Sequence, residues 1–253
     1  MTLRTFLAAA ATAVSLAACA TPALDDGAPE AIAAAIADTA RPEADRARDE
    51  ARRPAEMLAF AGVRPGMTVL DAVPGGGYFT RLFAKAVGPG GAVYAYVPSE
   101  IAEKFSSKAN ADALAAAYPN VKSASDPLTQ RSDAAFADIV WTSQNYHDFH
   151  TPLFGSPHIG EVNRALWSVL KPGGVLVIAD HAAQAGSGLR DVNTLHRIDP
   201  ITVKAEVTAA GFVFEGESDA LRNPADPKTA NVFDPSIRGR TDQFVMKFRK
   251  PRR

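Results

Sequence analysis

The stretch that most limits what this chain can become runs from Met67 to Gly91. Met67 to Val73 is apolar apart from Thr68 and Asp71, the length and composition of a buried strand with an acid near its carboxyl end. Pro74-Gly75-Gly76-Gly77 turns the chain at once, and Tyr78 to Val87 then carries apolar residues at helical spacing until Gly88-Pro89-Gly90-Gly91 stops it. Strand, glycine turn and helix make the first unit of a doubly wound sheet, in which ligands lie beyond the carboxyl ends of the strands. Gly75 and Gly77 have no Cβ, so backbone can approach a ligand there, and the helix N-terminus behind them favours an anionic group.

The rest of the chain continues the alternation. Gly91–Val97, Asn120–Ser125, Ala137–Ser143, Gly174–Ala179, a strand that begins at Gly211–Phe214, and Gln243–Phe248 read as six further strands. Helical spacing falls between them. Val162, Ala165, Leu166, Val169 and Leu170 form one apolar face, with Lys171 in the last turn and Pro172-Gly173 as its stop. Asp199 and Pro200 have the residue types of an N-cap and first helical position, with the end of that helix at Gly211. Pro29 to Ala40 is alanine-rich and expected to be helical. Residues 41–53 read as a dense mixed-charge helix whose arginines either reach a site or make a salt-bridged solvent face. The pattern predicts an α/β fold: a seven-stranded, mostly parallel sheet with helices on both faces.

The first turn, together with Val169-Leu170-Lys171-Pro172-Gly173-Gly174-Val175-Leu176-Val177-Ile178, resembles the class I S-adenosylmethionine-dependent methyltransferases. The resemblance covers roughly residues 54–250 and implies a Rossmann-like seven-stranded sheet with S-adenosylmethionine as cofactor. It places Asp71, Gly75, Gly76, Gly77 and Asp126 on the cofactor, and Asn145, in the loop after strand four, is expected to join them. Two positions depart from the family pattern: Val73 stands at the first glycine of the turn, and Val97 stands where the acid that ends strand two is usual, with Glu100 the nearest carboxylate. Those departures leave two readings: a methyltransferase acting on a small molecule, or a binding or accessory protein that keeps the fold without the cofactor.

Three loops are expected to meet above the carboxyl ends of strands one, four and five: Asp71 with the glycine turn, Ser143 to His150, and Asp180-His181. Methyl transfer needs a held nucleophile, water exclusion and, for some nucleophiles, a base. His147 and His181 are the candidate bases, and Asp148 and Asp180 the carboxylates that orient them. Tyr146, His196 and Arg197 are the expected substrate contacts. Arg197, Arg238 and Arg240 either clamp an anionic group or pair with Asp199, Asp234 or Asp242. His147-x-x-His150 with Asp148, and His158, His181 and His196 beyond it, raise zinc as a competing idea, but the reading adopted assigns no metal. The long polar connection before the last strand is expected to be a lid or binding loop.

Arg4 precedes an apolar run over 5–18 that is too short to span a bilayer, and Leu16-Ala17-Ala18-Cys19 follows. The arrangement resembles a bacterial lipoprotein signal, with Cys19 as the lipid-bearing residue. Cys19 is the sole cysteine, so no disulfide forms within the chain. The expected organisation is a signal over 1–18, a tether and N-terminal helix over 19–45, and a methyltransferase-like domain over 46–253. The expected location is the periplasmic side of a membrane, the outer one by lipoprotein habit. Formal charge is −1, and becoming −2 on loss of Arg4 (26 basic against 28 acidic residues) gives no sign of a nucleic-acid partner. The whole chain resembles a group of exported methyltransferase-like proteins.

Overall fold

The computed structural model describes residues 27–252. The expected signal sequence, most of the tether and Cys19 lie outside the described residues. Seven strands form one sheet: β1 (Thr68–Ala72), β2 (Ala92–Tyr96), β3 (Val121–Ala124), β4 (Ala137–Ser143), β5 (Leu170–His181), β6 (Val213–Ser218) and β7 (Gln243–Arg249). Their spatial order is β3-β2-β1-β4-β5-β7-β6. The first five pair in parallel, while β7 inserts antiparallel between β5 and β6. The expected α/β architecture is therefore present, and the strand order reverses between β1 and β4, where such sheets open a crevice for ligands.

Eight α-helices accompany the sheet among the described residues: α1 (Ala28–Ile36), α2 (Glu43–Arg46), α3 (Asp49–Arg52), α4 (Pro54–Ala61), α5 (Tyr78–Val87), α6 (Ser107–Ala117), α7 (Ile159–Val169) and α8 (Pro200–Ala209). None is long and apolar enough to cross a membrane. Asp199 caps α8 as its sequence predicts, its carboxylate accepting the Ile201 N–H at 3.0 Å. Helix α5 buries Phe79, Leu82, Phe83 and Ala86 on β1 and β4. Phe79 and Phe83 lie against Trp141 of β4, with ring centroids 4.6 and 5.6 Å away. That aromatic cluster fixes the glycine turn at the N-terminus of α5 relative to the end of β4.

Two local expectations are corrected. Residues 41–53 do not form one helix. Arg53 adopts a left-handed φ of 45° because Pro54 disfavours the helical region for the residue before it, and the segment folds as two short turns, α2 and α3. Lys171 is not in the last turn of α7. The helix ends at Val169, and Leu170 is already extended and paired with Ala137 through an irregular register. Lys171 instead pairs with Asp138 at 2.9 Å.

Phe83 is fully buried in the cluster that seats the turn. Phe83→Ala is expected to cost about 3–5 kcal/mol by loss of transfer energy and creation of a cavity. Urea unfolding followed by circular dichroism measures it.

Candidate functional site

The chain leaves β1 through Val73, which stands in the left-handed region at φ 62°. A β-branched side chain is strained there, at a cost of order 1–3 kcal/mol. Glycine at this position would remove the strain. Gln144, directly after β4, and His196 share this conformation, with φ of 63° and 54°. Three strained backbones thus surround one rim of the sheet.

Beneath that rim lies an inner chamber of about 170 Å³, lined by Arg48, Arg52, Asp71, Val73, Pro74, Gly75, Gly76, Tyr78, Phe79, Trp141, Ser143, Gln144 and Asn145. Asn145 closes one side, its Nδ2 donating to the carbonyls of Val73 and Ser143 at 3.2 and 2.6 Å. Asp71 is buried under the floor, where the Thr80 hydroxyl donates to it at 2.6 Å. Burial raises its carboxyl from 3.8 to about 7, against the smaller opposing effects of Thr80 and the Arg52 charge. Gly75 and Gly76 meet the chamber as expected. Gly77 does not: a Cβ there would stand 2.5 Å from Leu114, so this glycine admits α6 and caps α5.

The arginines come from the charged segment over 41–53, and of its two expected uses the wholly solvent-facing one does not hold, since Arg48 and Arg52 line the inner chamber. Arg41 is buried and bonds Asp49 at 2.6 and 2.9 Å, and the Tyr78 hydroxyl donates to the same carboxylate at 2.6 Å. Arg41, Arg48 and Arg52 hold their guanidinium carbons 5.5, 5.1 and 4.9 Å from the Tyr78 ring centroid. Arg81 joins Asp45 to the Gly76 carbonyl, at 2.7 and 2.8 Å. The N-terminal segment is thereby fastened across the glycine turn, and Arg52 reaches over it to the Gln144 side-chain oxygen at 2.9 Å.

A second, outer chamber of about 320 Å³ shares Arg48, Arg52 and Gln144 with the first and is completed by residues including His181, Phe233, Arg238 and Thr241. His181 is nearly buried, with its Nδ1 2.8 Å from the Thr241 hydroxyl. Burial, reinforced by the neighbouring His147 and arginine charges, lowers its pKa to about 4, so its imidazole is neutral. His147 lies beside it, ring centroids 6.1 Å apart. Asp180, wholly buried, receives the His147 backbone N–H at 2.8 Å, its Nδ1 at 2.9 Å and the His181 N–H at 2.7 Å. Burial opposes the His147 charge, but Asp180 and Asp148 outweigh it and raise the pKa to about 10. Of the two candidate bases, His181 is therefore the neutral one and His147 the charged one.

Of the expected substrate contacts, His196 reaches the rim, with its Nδ1 3.3 Å from His147 Nε2. Tyr146 and Arg197 do not. Tyr146 is fully buried, its hydroxyl held by Asn163 and Glu206. Arg197 is fully buried in a two-bond pair with Asp226 at 2.8 and 3.1 Å and also donates to the Ala182 and Ala230 carbonyls. The arginine clamp thus does not form, and the structural pairing of Arg197 is with Asp226, not Asp199, Asp234 or Asp242. Arg240 bonds the Ser236 carbonyl, while Arg238 lines the outer chamber. Asp126 is exposed and lines a separate cleft with Tyr96 on β2 and Leu128. Glu100, the nearest acid after β2, accepts the Leu128 N–H at 3.0 Å.

Asp226→Asn leaves the Arg197 charge uncompensated in the core and is expected to cost about 3–5 kcal/mol in chemical denaturation. Asp71 supplies a pH test. Its folded pKa lies above the unfolded value, so its stabilising contribution is full below about 3.8 and is lost as pH rises through about 7. Asp71→Asn should flatten the fall in unfolding free energy across that window; an unchanged slope would contradict the buried, proton-retaining carboxyl.

No family model matches the sequence, and no curated protein matches it. Solved structures do. A SAM-dependent methyltransferase from Aquifex aeolicus is 18% identical, with 88% of this chain and 98% of that one aligned at a TM-score of 0.54. The [4+2]-cyclase SpnF is 19% identical, with 82% and 81% aligned at 0.57. An arsenic(III) S-adenosylmethionine methyltransferase from Chlamydomonas reinhardtii is 17% identical, with 87% and 73% aligned at 0.53. At these identities the likeness concerns architecture: the chain has the Rossmann-like α/β fold of SAM-dependent methyltransferases.

Proposed function

We propose that the chain is an S-adenosylmethionine-dependent methyltransferase for a small molecule, with the cofactor's amino-acid end in the inner chamber and the substrate in the outer one. The observation that carries this reading is the inner chamber itself, a glycine-floored polar cavity at the crevice between β1 and β4. Its residues fit an amino acid. Arg52 offers a guanidinium to a carboxylate, Asp71 and the nearby carbonyls suit an ammonium group, and the buried Trp141 Nε1–H has no protein acceptor. The volume suits part of such a cofactor only, since a whole drug-sized ligand takes about 300–1,000 Å³.

When bound, S-adenosylmethionine supplies an electrophilic methyl group. The chain's own work is positioning and proton handling. Arg52 and Gln144 form the wall common to both chambers and set the approach between them. His181, oriented by the Thr241 hydroxyl, stands in the outer chamber to receive a proton from a substrate nucleophile. His147 is unsuited to that task, because both ring nitrogens are already engaged. Phe233, exposed on the long connection before β7, covers the outer chamber.

One observation favours a second reading, a binding or accessory protein that does not use the cofactor. β2 ends at Tyr96, Val97 follows it with no carboxylate, and Glu100 is engaged with the Leu128 backbone. The cyclase among the similar structures shows that this fold is not tied to one reaction. Calorimetric titration of the full chain with S-adenosylmethionine and S-adenosylhomocysteine separates the two. The first reading predicts binding between about 1 μM and 1 mM, weakened roughly 10- to 100-fold by Arg52→Ala through loss of a charge-assisted hydrogen bond, and unchanged by His181→Gln. No heat at millimolar ligand removes it.

We further propose export and lipid attachment through Cys19, on the periplasmic side of the outer membrane. The support is the sequence from Arg4 to Cys19. Cys19→Ala should move the protein from the membrane fraction to the soluble fraction of the producing cell; retention in the membrane would overturn the anchor.

A further inference from the structure

Three side chains from two loops converge beside the outer chamber. His147 and Asp148 follow β4, and His196 lies in the connection from β5 to α8. His147 Nε2 is 3.3 Å from His196 Nδ1 and 3.3 Å from Asp148 Oδ1, and His196 Nδ1 is 3.6 Å from the same carboxylate oxygen. These three atoms form a nearly regular triangle. A tetrahedral zinc ion with nitrogen and oxygen ligands at about 2.0–2.1 Å separates its ligand atoms by about 3.4 Å. An octahedral magnesium ion at about 2.0–2.1 Å would bring adjacent ligands to about 2.9–3.0 Å and would take oxygen donors. Both the edge lengths and the donor set favour zinc.

The surroundings of the triangle are those of a ligand site. Nδ1 of His147 is held by Asp180 at 2.9 Å, and that carboxylate is itself fixed by two backbone N–H groups. Asp180 keeps the proton on Nδ1 and directs Nε2 at the triangle, where the cation would displace the Nε2 proton that Asp148 otherwise holds, the arrangement in which a carboxylate orients a metal-binding histidine. His196 is aimed by a left-handed backbone and by edge-on packing against Phe233, with ring centroids 5.0 Å apart. Exposure rises across the three side chains, from 3% for His147 to 16% for Asp148 and 33% for His196, so the triangle is sealed on the protein side and open on the other. An open fourth position is the mark of a site that takes water or a substrate atom.

We propose that His147 Nε2, Asp148 and His196 Nδ1 are the protein ligands of a zinc-type divalent cation, oriented by Asp180 and with a fourth position open to water or to a substrate oxygen. The site stands apart from the cofactor reading, because it can be filled with the inner chamber empty. Its place beside Phe233 puts a Lewis acid at the edge of the outer chamber.

The test uses the full chain, stripped with EDTA and titrated with zinc chloride against a chromophoric chelator, with no S-adenosylmethionine present. One equivalent of zinc should bind, and magnesium should not compete. His196→Gln and Asp148→Asn should each weaken binding at least 100-fold. Asp180→Asn should weaken it 10- to 100-fold, and His158→Gln, at an exposed site outside the triangle, should leave it unchanged. Thermal unfolding of each variant without metal establishes that it is folded. Zinc-edge X-ray absorption of the unaltered protein, which needs no variant, should show two imidazoles and oxygen in a four-coordinate shell. Substoichiometric binding, undiminished binding in folded His196→Gln and Asp148→Asn, or a shell lacking two imidazoles would each overturn the site and leave only a hydrogen-bonded cluster. None of these outcomes bears on whether S-adenosylmethionine binds.

Discussion

The rim of the sheet depends on one buried carboxylate. Asp180, next to the last residue of β5, has no exposed surface, and an unpaired negative charge there would be prohibitively costly. The protein meets that cost with the His147 ring and two backbone N–H groups, and the combined attraction holds Asp180 below its usual pKa despite burial. Because the donors come from the loop after β4 and from β5 itself, the same contact locks the two strand ends together. His147, Asp148 and His181 then have little freedom in where they stand. Every chemical role assigned to the rim follows from that fixed geometry.

The opposite side of the crevice is held differently. Residues 41–53 have no long helix to stabilise them, and they dock through charge and aromatic contact. Arg41 and Asp49 lock onto Tyr78, Asp45 onto Arg81, and three guanidinium groups cover one phenol ring. Such contacts between partly buried groups are worth more than solvent-exposed pairs, because water competes with them less. Their position across the start of α5 makes the segment the roof of the inner chamber, and α1 continues the same attachment by burying Ile32 and Ala35. The N-terminal region is therefore part of the site and not merely a lead into the domain.

Much of the architecture was legible in the sequence because it rests on periodicity. The strand at Thr68–Ala72, the glycine turn, the buried face of α5 and the Asp199 cap each have local signatures, and each formed where those signatures lie. The convergence of Asp71, Asn145, His147 and His181 at one rim followed from topology once the strands were placed. What the sequence did not reveal was pairing over long separations. Nothing near Arg197 shows that Asp226 will neutralise it, and nothing near Tyr146 shows that Glu206 and Asn163 will take its hydroxyl. Arg52 looked like any residue of a charged helix, since its partner Gln144 is 92 positions away. Gly77 looked like its two neighbours, and only the proximity of Leu114 separates its role from theirs.

The central claim is that the glycine turn, the end of β4 and the arginine segment enclose one ligand chamber. Trp141 stands in its wall, and the other tryptophan, Trp167, packs on Phe212, with ring centroids 4.9 Å apart, and does not line the chamber. Fluorescence of a Trp167→Phe variant therefore reports on the chamber alone. Titration with S-adenosylmethionine is predicted to change the Trp141 emission saturably, and Arg52→Ala is predicted to shift the midpoint to higher concentration. Emission that stays constant to millimolar ligand, or a midpoint indifferent to Arg52, would contradict the account.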